Sequence, residues 1–341
     1  MRIIIIYNDE FDNVLTKFGI QNQELYSEEA IIKMEKAFTN NGFDVERIDG
    51  NFDLFDRLRG LTKGDKRIPF VINRSCSIRG ENRYSHIPSI LEMLGLPYFG
   101  SGPLGHTLAL DKIISKELMR LNGIPTPQFW TFNNDNDFKQ AVKYPAIVKP
   151  TMEAGSFGAQ VVNSNSKLMD AVKEQKEEFH QIVFAENFIK GREFVLGLIG
   201  NGDDLECFPL VEIILEEDPE SIRSKDGKVD TLNNKIVPSD IPEDTLNRIK
   251  VDAKKLFRLL RLRDYARIDI RMDEQGNYFF LKINSMASLG KNDLYTFSGM
   301  SSGLNYDELI LKLFDIAASK YFNSNQKLKV HYESILEANR G

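Results

Sequence analysis

This sequence has little of what marks the commonest catalytic and metal centres. It carries two cysteines and four histidines in 341 residues. Cys76 and Cys207 lie far apart and share no metal-ligand spacing, so they read as reduced thiols of a cytoplasmic protein. His86, His106, His180 and His331 form no ligand pattern, which removes the case for zinc. Ser75, Ser101 and Ser156 stand outside any Gly-x-Ser-x-Gly frame, and no Gly-x-x-x-x-Gly-Lys-Ser/Thr loop occurs. No apolar run approaches the roughly 18 residues of a membrane span. There is no excess of basic residues either. Lys and Arg number 44 against 50 Asp and Glu, a formal charge of −6, so the basic footprint of a nucleic-acid binder is missing. Internal repeats and low-complexity tracts are absent as well.

What is present is a chain of strands and helices. Arg2 to Tyr7 is an unbroken apolar run, the pattern of a strand covered on both faces. It is too short for a signal-peptide core, and Asn8, Asp9 and Glu10 follow at once. Ser27 with Glu28 and Glu29 starts a helix that stops at Asn41-Gly42. Strands are expected at 43–48, 68–73 and 97–101, with a helix at 86–94, giving an open α/β unit that ends near residue 105. A helix opens at Asp111. Strands at 144–150, 160–163, 182–189 and 192–199 and a helix at 166–178 form a second block. The charged stretch 216–239 is expected to be a long loop, 242–261 and 306–322 amphipathic helices, and 323–341 a polar tail.

Four stretches can carry chemistry, and each has a plain alternative. Lys149 ends a strand and is followed by Glu153-Ala-Gly-Ser-Phe-Gly158. A lysine beside freely oriented backbone N–H groups makes a phosphate cradle, or the loop is an ordinary surface turn. Glu186, Phe188, Ile189 and Glu193 run from the end of one strand into the next and can hold a purine and its ribose, or they form a charged hairpin. Arg267 and Asp269 share a face of one strand, and Phe280, Lys282 and Asn284 share a face of the next. A carboxylate and an amide oxygen suit Mg²⁺, which takes few protein oxygens and several phosphate oxygens, and Arg267 suits a developing anion. The alternative is a cross-strand Asp–Lys pair. Arg79, Glu81 and Arg83 lie in a charged loop after the third strand, where open α/β folds bind ligands, or they are simply solvated.

Together, and in this order, these pieces resemble the D-alanine–D-alanine ligase branch of the ATP-grasp enzymes. The resemblance covers roughly Arg2 to Tyr321 and is carried by LGLPYFGSGPLGHTLALDK, YPAIVKP with EAGSFG, AENFIKGREF, and ARIDIR with FFLKINSMASLG. It implies a three-domain ATP-grasp fold of α/β class, with an α+β C-terminal part. An N-terminal open parallel α/β domain (1–105) would precede a central subdomain (106–190), a C-terminal subdomain (191–322) and the tail (323–341). It implies ATP and Mg²⁺ as cofactors, small amino-acid or peptide-like substrates, no nucleic acid or membrane partner, and a homodimer. By the resemblance, Lys112 and Lys149 bind phosphate. Glu186, Phe188, Ile189 and Glu193 hold adenine and ribose, and Ser156 closes over the reacting groups. Arg267 steadies the acyl phosphate, and Asp269 and Asn284 ligate magnesium.

The sequence departs from that family in four places. Lys282 stands where the family has a third magnesium ligand, a glutamate, and an ammonium has no lone pair to offer a metal. Ala287 and Ser288 replace a Pro-Gly pair beside the second substrate. The Lys-Tyr pair of the dipeptide ligases is missing after Glu216, and Arg79 to Arg83 fits broader ligase-like members better. The expectation is an ATP-dependent carboxylate–amine ligase of reduced activity, with Lys282 at its chemical centre. The alternative is a nucleotide-binding protein of the same fold with little turnover.

Overall fold

The computed structural model describes residues 1–8, 26–62, 68–214 and 234–322. The first block alternates strand and helix: β1 (Arg2–Tyr7), α1 (Glu28–Thr39), β2 (Asp44–Asp49), α2 (Leu54–Leu61), β3 (Phe70–Asn73), α3 (Arg83–Leu94) and β4 (Tyr98–Phe99). Its strands pair in parallel in the order β2-β1-β3-β4. The isoleucines of β1 explain why the sheet is covered twice. Ile3 and Ile5 pack with Phe38 of α1, while Ile4 and Ile6 pack with Leu58 of α2 and Leu91 of α3. Ser27 caps α1 through its hydroxyl, as its position ahead of two glutamates predicts.

The second block holds α4 (Pro103–Leu110), α5 (Lys112–Leu121), β5 (Phe129–Phe132), β6 (Ala146–Pro150), β7 (Gln160–Val162), α6 (Asn165–Phe179) and β8 (Val183–Asn187). The sheet is antiparallel, in the order β5-β8-β6-β7. Ala146, Val148, Val183 and Ala185 pack against Leu168 and Val172 of α6. Strand alternation therefore turns Lys149 and Glu186 to the other face.

The third block contains β9 (Arg192–Ile199), β10 (Glu206–Cys207), β11 (Val211–Ile213), β12 (Lys235–Ile236), α7 (Glu243–Leu259), β13 (Tyr265–Met272), β14 (Tyr278–Asn284), α8 (Leu294–Met300) and α9 (Tyr306–Phe322). Its main path runs β12-β11-β9-β13-β14, with β10 beside β9. Helix α7 covers one face through Ile249, Leu256 and Phe257, which pack with Phe194, Leu196, Ile268, Ile270, Phe280 and Ile283. Helix α9 returns to the first sheet, where Phe314 meets Phe38 and Phe70 edge-on at 5.6 and 5.0 Å. No helix among the described residues is long and apolar enough to cross a membrane.

Some expectations need correction. Phe280 does not share a face with Lys282 and Asn284. Asp269 pairs with Lys282 and Ile270 with Phe280, so Leu281 is an extra residue in β14. This bulge turns Phe280 into the core, fully buried beside Ile270 and Ile283. Arg83 is not in a loop but begins α3, which starts three residues before the expected His86. Strand β4 shrinks to Tyr98–Phe99. The expected loop 216–239 falls outside the described residues from 216 to 233, as does the tail 323–341.

Candidate active site between the second and third sheets

The site begins at the start of α5. The Asp111 carboxylate accepts from the backbone N–H groups of Ile113 and Ile114, both at 3.0 Å, and fixes the first turn. Lys112 and Lys116 then project from one helix face, four residues apart. Lys112 donates to the carbonyls of Pro150 (3.2 Å), Thr151 (2.9 Å) and Glu153. Lys116 reaches Glu186 at 2.6 Å, with 1% of each side chain exposed. Lys149 approaches the other oxygen of Glu186 at 2.5 Å.

One carboxylate thus lies between two ammonium groups. Burial alone would push the Glu186 carboxyl up, but Lys116 and Lys149 outweigh it and hold the group down to about 2. Lys112 goes the other way. Burial, reinforced by the charges of Lys282, Lys149 and Arg83, pushes its ammonium down to about 7 despite the favourable charge of Glu153. Arg83 is itself buried, donating to the Met152 carbonyl at 3.0 Å and pairing with Glu153 at 3.3 Å. Four cations from α3, α5, β6 and β14 therefore converge around one loop.

The third sheet supplies the facing wall. Asp269 receives Arg267 Nε at 2.8 Å and Arg267 Nη2 at 3.2 Å. It also receives the Asn284 amide at 3.3 Å and lies 3.4 Å from the Lys282 ammonium. Lys282, Asn284 and Ser285 line a narrow cleft with Tyr84, Lys112, Glu153 and Ala154. Its free volume of about 20 Å³ is room for about one water molecule.

The two expected metal ligands are engaged with side-chain donors in this arrangement. Both oxygens of Asp269 accept from flanking groups, and Asn284 turns its nitrogen towards Asp269. No group of three or more His, Cys, Asp or Glu suited to a metal occurs among the described residues. The donor set as it stands does not fit a divalent cation held by the protein.

The remaining candidates lie around this centre. Glu193 on β9 pairs with Arg271 at 3.2 Å, and the Arg271 guanidinium stands 5.7 Å from the centre of the Phe188 ring. Phe188 and Ile189 line a shallow depression with Asp273, Glu274 and Gln275. Ser156 has a φ of 64°, in the left-handed region, within the loop that follows β6. The Ser288 hydroxyl donates to Asp293. Arg79 is half-buried and Glu81 exposed, both before α3. Lys116, Glu153 and Asp293 escaped the sequence reading. Lys116 was detectable by its spacing of one helical turn from Lys112; Glu153 and Asp293 carry no such local signal.

Comparison with known proteins gives this arrangement a family. The model of the D-ala D-ala ligase C-terminus matches residues 118–315. Protein y4sG of Sinorhizobium fredii, described as uncharacterized, is 33% identical over 333 residues, covering 95% of this chain and 99% of that protein. The D-alanine–D-alanine ligase of Dechloromonas aromatica is 30% identical over 286 residues, 83% of this chain and 90% of that one. Among solved structures, the D-alanine–D-alanine ligase of Bacillus anthracis complexed with ATP superposes with a TM-score of 0.71 at 19% identity, covering 95% of this chain and all of that one. The VanG D-Ala:D-Ser ligase of Enterococcus faecalis gives a TM-score of 0.71 at 20% identity, covering 93% and 99%. The fold is that of the ATP-grasp proteins, and the chain belongs to the D-alanine–D-alanine ligase family.

Proposed function

We propose that this chain is an ATP-dependent ligase that joins the carboxylate of one small amino-acid-like molecule to the amine of another. The observation that carries the reading is the convergence of Lys149, Lys282 and Arg83 on Lys112, with the Glu186 carboxylate held beside Lys149 by Lys116. Like charges held together at rest are relieved by a polyanion, and a buried carboxylate beside them accepts from an exocyclic amino group. Lys112 and Lys149 hold the phosphates. Glu186, Phe188 and Ile189 take adenine, and Glu193 takes the ribose hydroxyls. A carboxylate oxygen of the first substrate attacks the terminal phosphorus, and ADP leaves. The amine of the second attacks the carbonyl carbon of the acyl phosphate, phosphate leaves, and the nitrogen loses a proton. Arg267 faces the charge that develops on the oxygens. The loop at Ser156 excludes water from the intermediate. Arg79, Glu81, Arg83 and Ser288 surround the substrates.

D-alanine is not carried over from the relatives. Ala287 and Ser288 stand beside the second substrate, and Ser288 is tied to the Asp293 carboxylate. The Lys282–Asp269 pair favours a second reading, a nucleotide-binding protein of low turnover. ADP release from Mg-ATP with pools of D- and L-amino acids tests both. The expected result is amino-acid-dependent release. Lys282→Glu should exceed the natural chain by about a hundredfold, or about 2.7 kcal/mol of transition-state stabilisation. Release that ignores every pool, in both chains, would overturn the ligase reading.

A further inference from the structure

We infer that Lys282 is a built-in counter-ion for the nucleotide phosphates, so that this chain binds ATP without a divalent cation held by its own carboxylates. The inference rests on the nucleotide site proposed above. Three observations carry it.

First, Asp269 is committed. Its two oxygens take four contacts, from Arg267 twice, from Asn284 and from Lys282. Asp269, Arg267 and Lys282 together carry one net positive charge. A cation site needs the opposite sign, whereas a phosphate site needs this one.

Second, the ammonium lines the right space. Lys282 and Lys112 border the same cleft, and the charge of Lys282 is the largest electrostatic influence depressing the Lys112 ammonium. Two ammonium groups that disfavour each other across a cleft are brought into balance by an anion between them.

Third, the backbone directs it there. The extra residue Leu281 lies between core-facing Phe280 and Lys282. The extra residue lets Phe280 enter the core while Lys282 stays paired with Asp269 on the site face. Lys282 gives up what a metal offers, direct coordination of two oxygens at once. It keeps what binding needs, a fixed positive charge. Nucleotide affinity and turnover are therefore separable at this position.

The test is ATP affinity by calorimetry, in excess MgCl₂ and in EDTA, for the full chain and for Lys282→Gln and Lys282→Glu. The expected ratio of dissociation constants (EDTA over Mg²⁺) for the natural chain is below about fivefold, or about 1 kcal/mol. Lys282→Gln should bind about tenfold more weakly in both conditions, by loss of a charge-assisted contact. Lys282→Glu should bind in Mg²⁺ and lose at least about tenfold in EDTA, because the carboxylate restores a metal ligand. A ratio above about fivefold in the natural chain overturns the inference, as does an unchanged Lys282→Gln. If Lys282→Glu does not fold, the natural chain and Lys282→Gln decide alone. Absence of ATP binding by the natural chain in both conditions would instead remove the nucleotide reading beneath it.

Discussion

Replacing Glu186 by glutamine tests whether the buried centre of the site is an ion cluster. Glu186 and Lys116 are each 1% exposed, and their nearest charged atoms lie 2.6 Å apart. The carboxyl is held from its ordinary 4.5 down to about 2. At about 1.4 kcal/mol per pH unit, that fall corresponds to about 3 kcal/mol of stability. The folded value lies below the unfolded one. The contribution is therefore fully present above pH 4.5 and is lost as pH falls through about 2. Glutamine keeps the shape and removes the charge, leaving Lys116 buried with no carboxylate beside it at this contact. Losing one partner of such a pair costs about 3–5 kcal/mol. The buried ammonium then sheds its proton rather than stay charged. Because the folded variant binds fewer protons than the unfolded chain, its deficit shrinks as pH rises from neutrality towards 10. Urea unfolding at pH 6 and pH 9 reads both effects. Adding Lys116→Met should recover more than half of the loss, since no buried charge is then left without its partner. A loss under about 1 kcal/mol, or no recovery in the double variant, would refute an ionised pair as the organising contact.

The Lys112 ammonium, held down to about 7 by burial, is raised by a phosphate beside it, so ATP binding there should take up protons at pH 8; calorimetry in buffers of different ionisation enthalpy measures it. The same depression means that Lys112 lowers stability fully below pH 7, and that this cost fades as pH rises towards 10.5. Lys149→Met should weaken ATP binding at least about tenfold, through loss of a charge-assisted contact, and lower the melting temperature, because it removes one of the two cations beside the buried Glu186 carboxylate.

Strands and helices were legible where the pattern was long. The unbroken isoleucines of β1 and the apolar stripe of α7 each named their element and its covered face. The site was legible where one residue type ended a strand, as at Lys149 and Glu186. It was not legible where partners came from distant segments. Glu153 meets Arg83 across 70 positions, a distance no local pattern spans. Helices α4 and α8 are short and were not separated from the turns around them. The β14 error had a different cause. Period-two counting assumes that no residue is inserted, and one bulge reverses every assignment on its far side.

That bulge allows a test of what the strand is built for. Without Leu281, Phe280, Lys282 and Ile283 would be consecutive and would face Ile270, Asp269 and Ile268 in an unbroken ladder. Phe280 and Ile283 would still point into the core, and Lys282 would still lie on the other face. The deletion therefore leaves the inward-facing residues of β14 on the core side. It forfeits the burial of one half-exposed leucine, about 1 kcal/mol, which shifts the melting temperature by a few degrees at most. The extra residue also adds twist to β14, so its removal changes the angle of Lys282 within that face. The shortened chain should melt within a few degrees of the natural one yet bind ATP at least about tenfold more weakly. Unfolding on deletion would make Leu281 a packing residue after all. Undiminished binding would mean that the aim of Lys282 owes nothing to the bulge. A strand that is regular without a residue, but functional only with it, has that residue for its chemistry rather than for its fold.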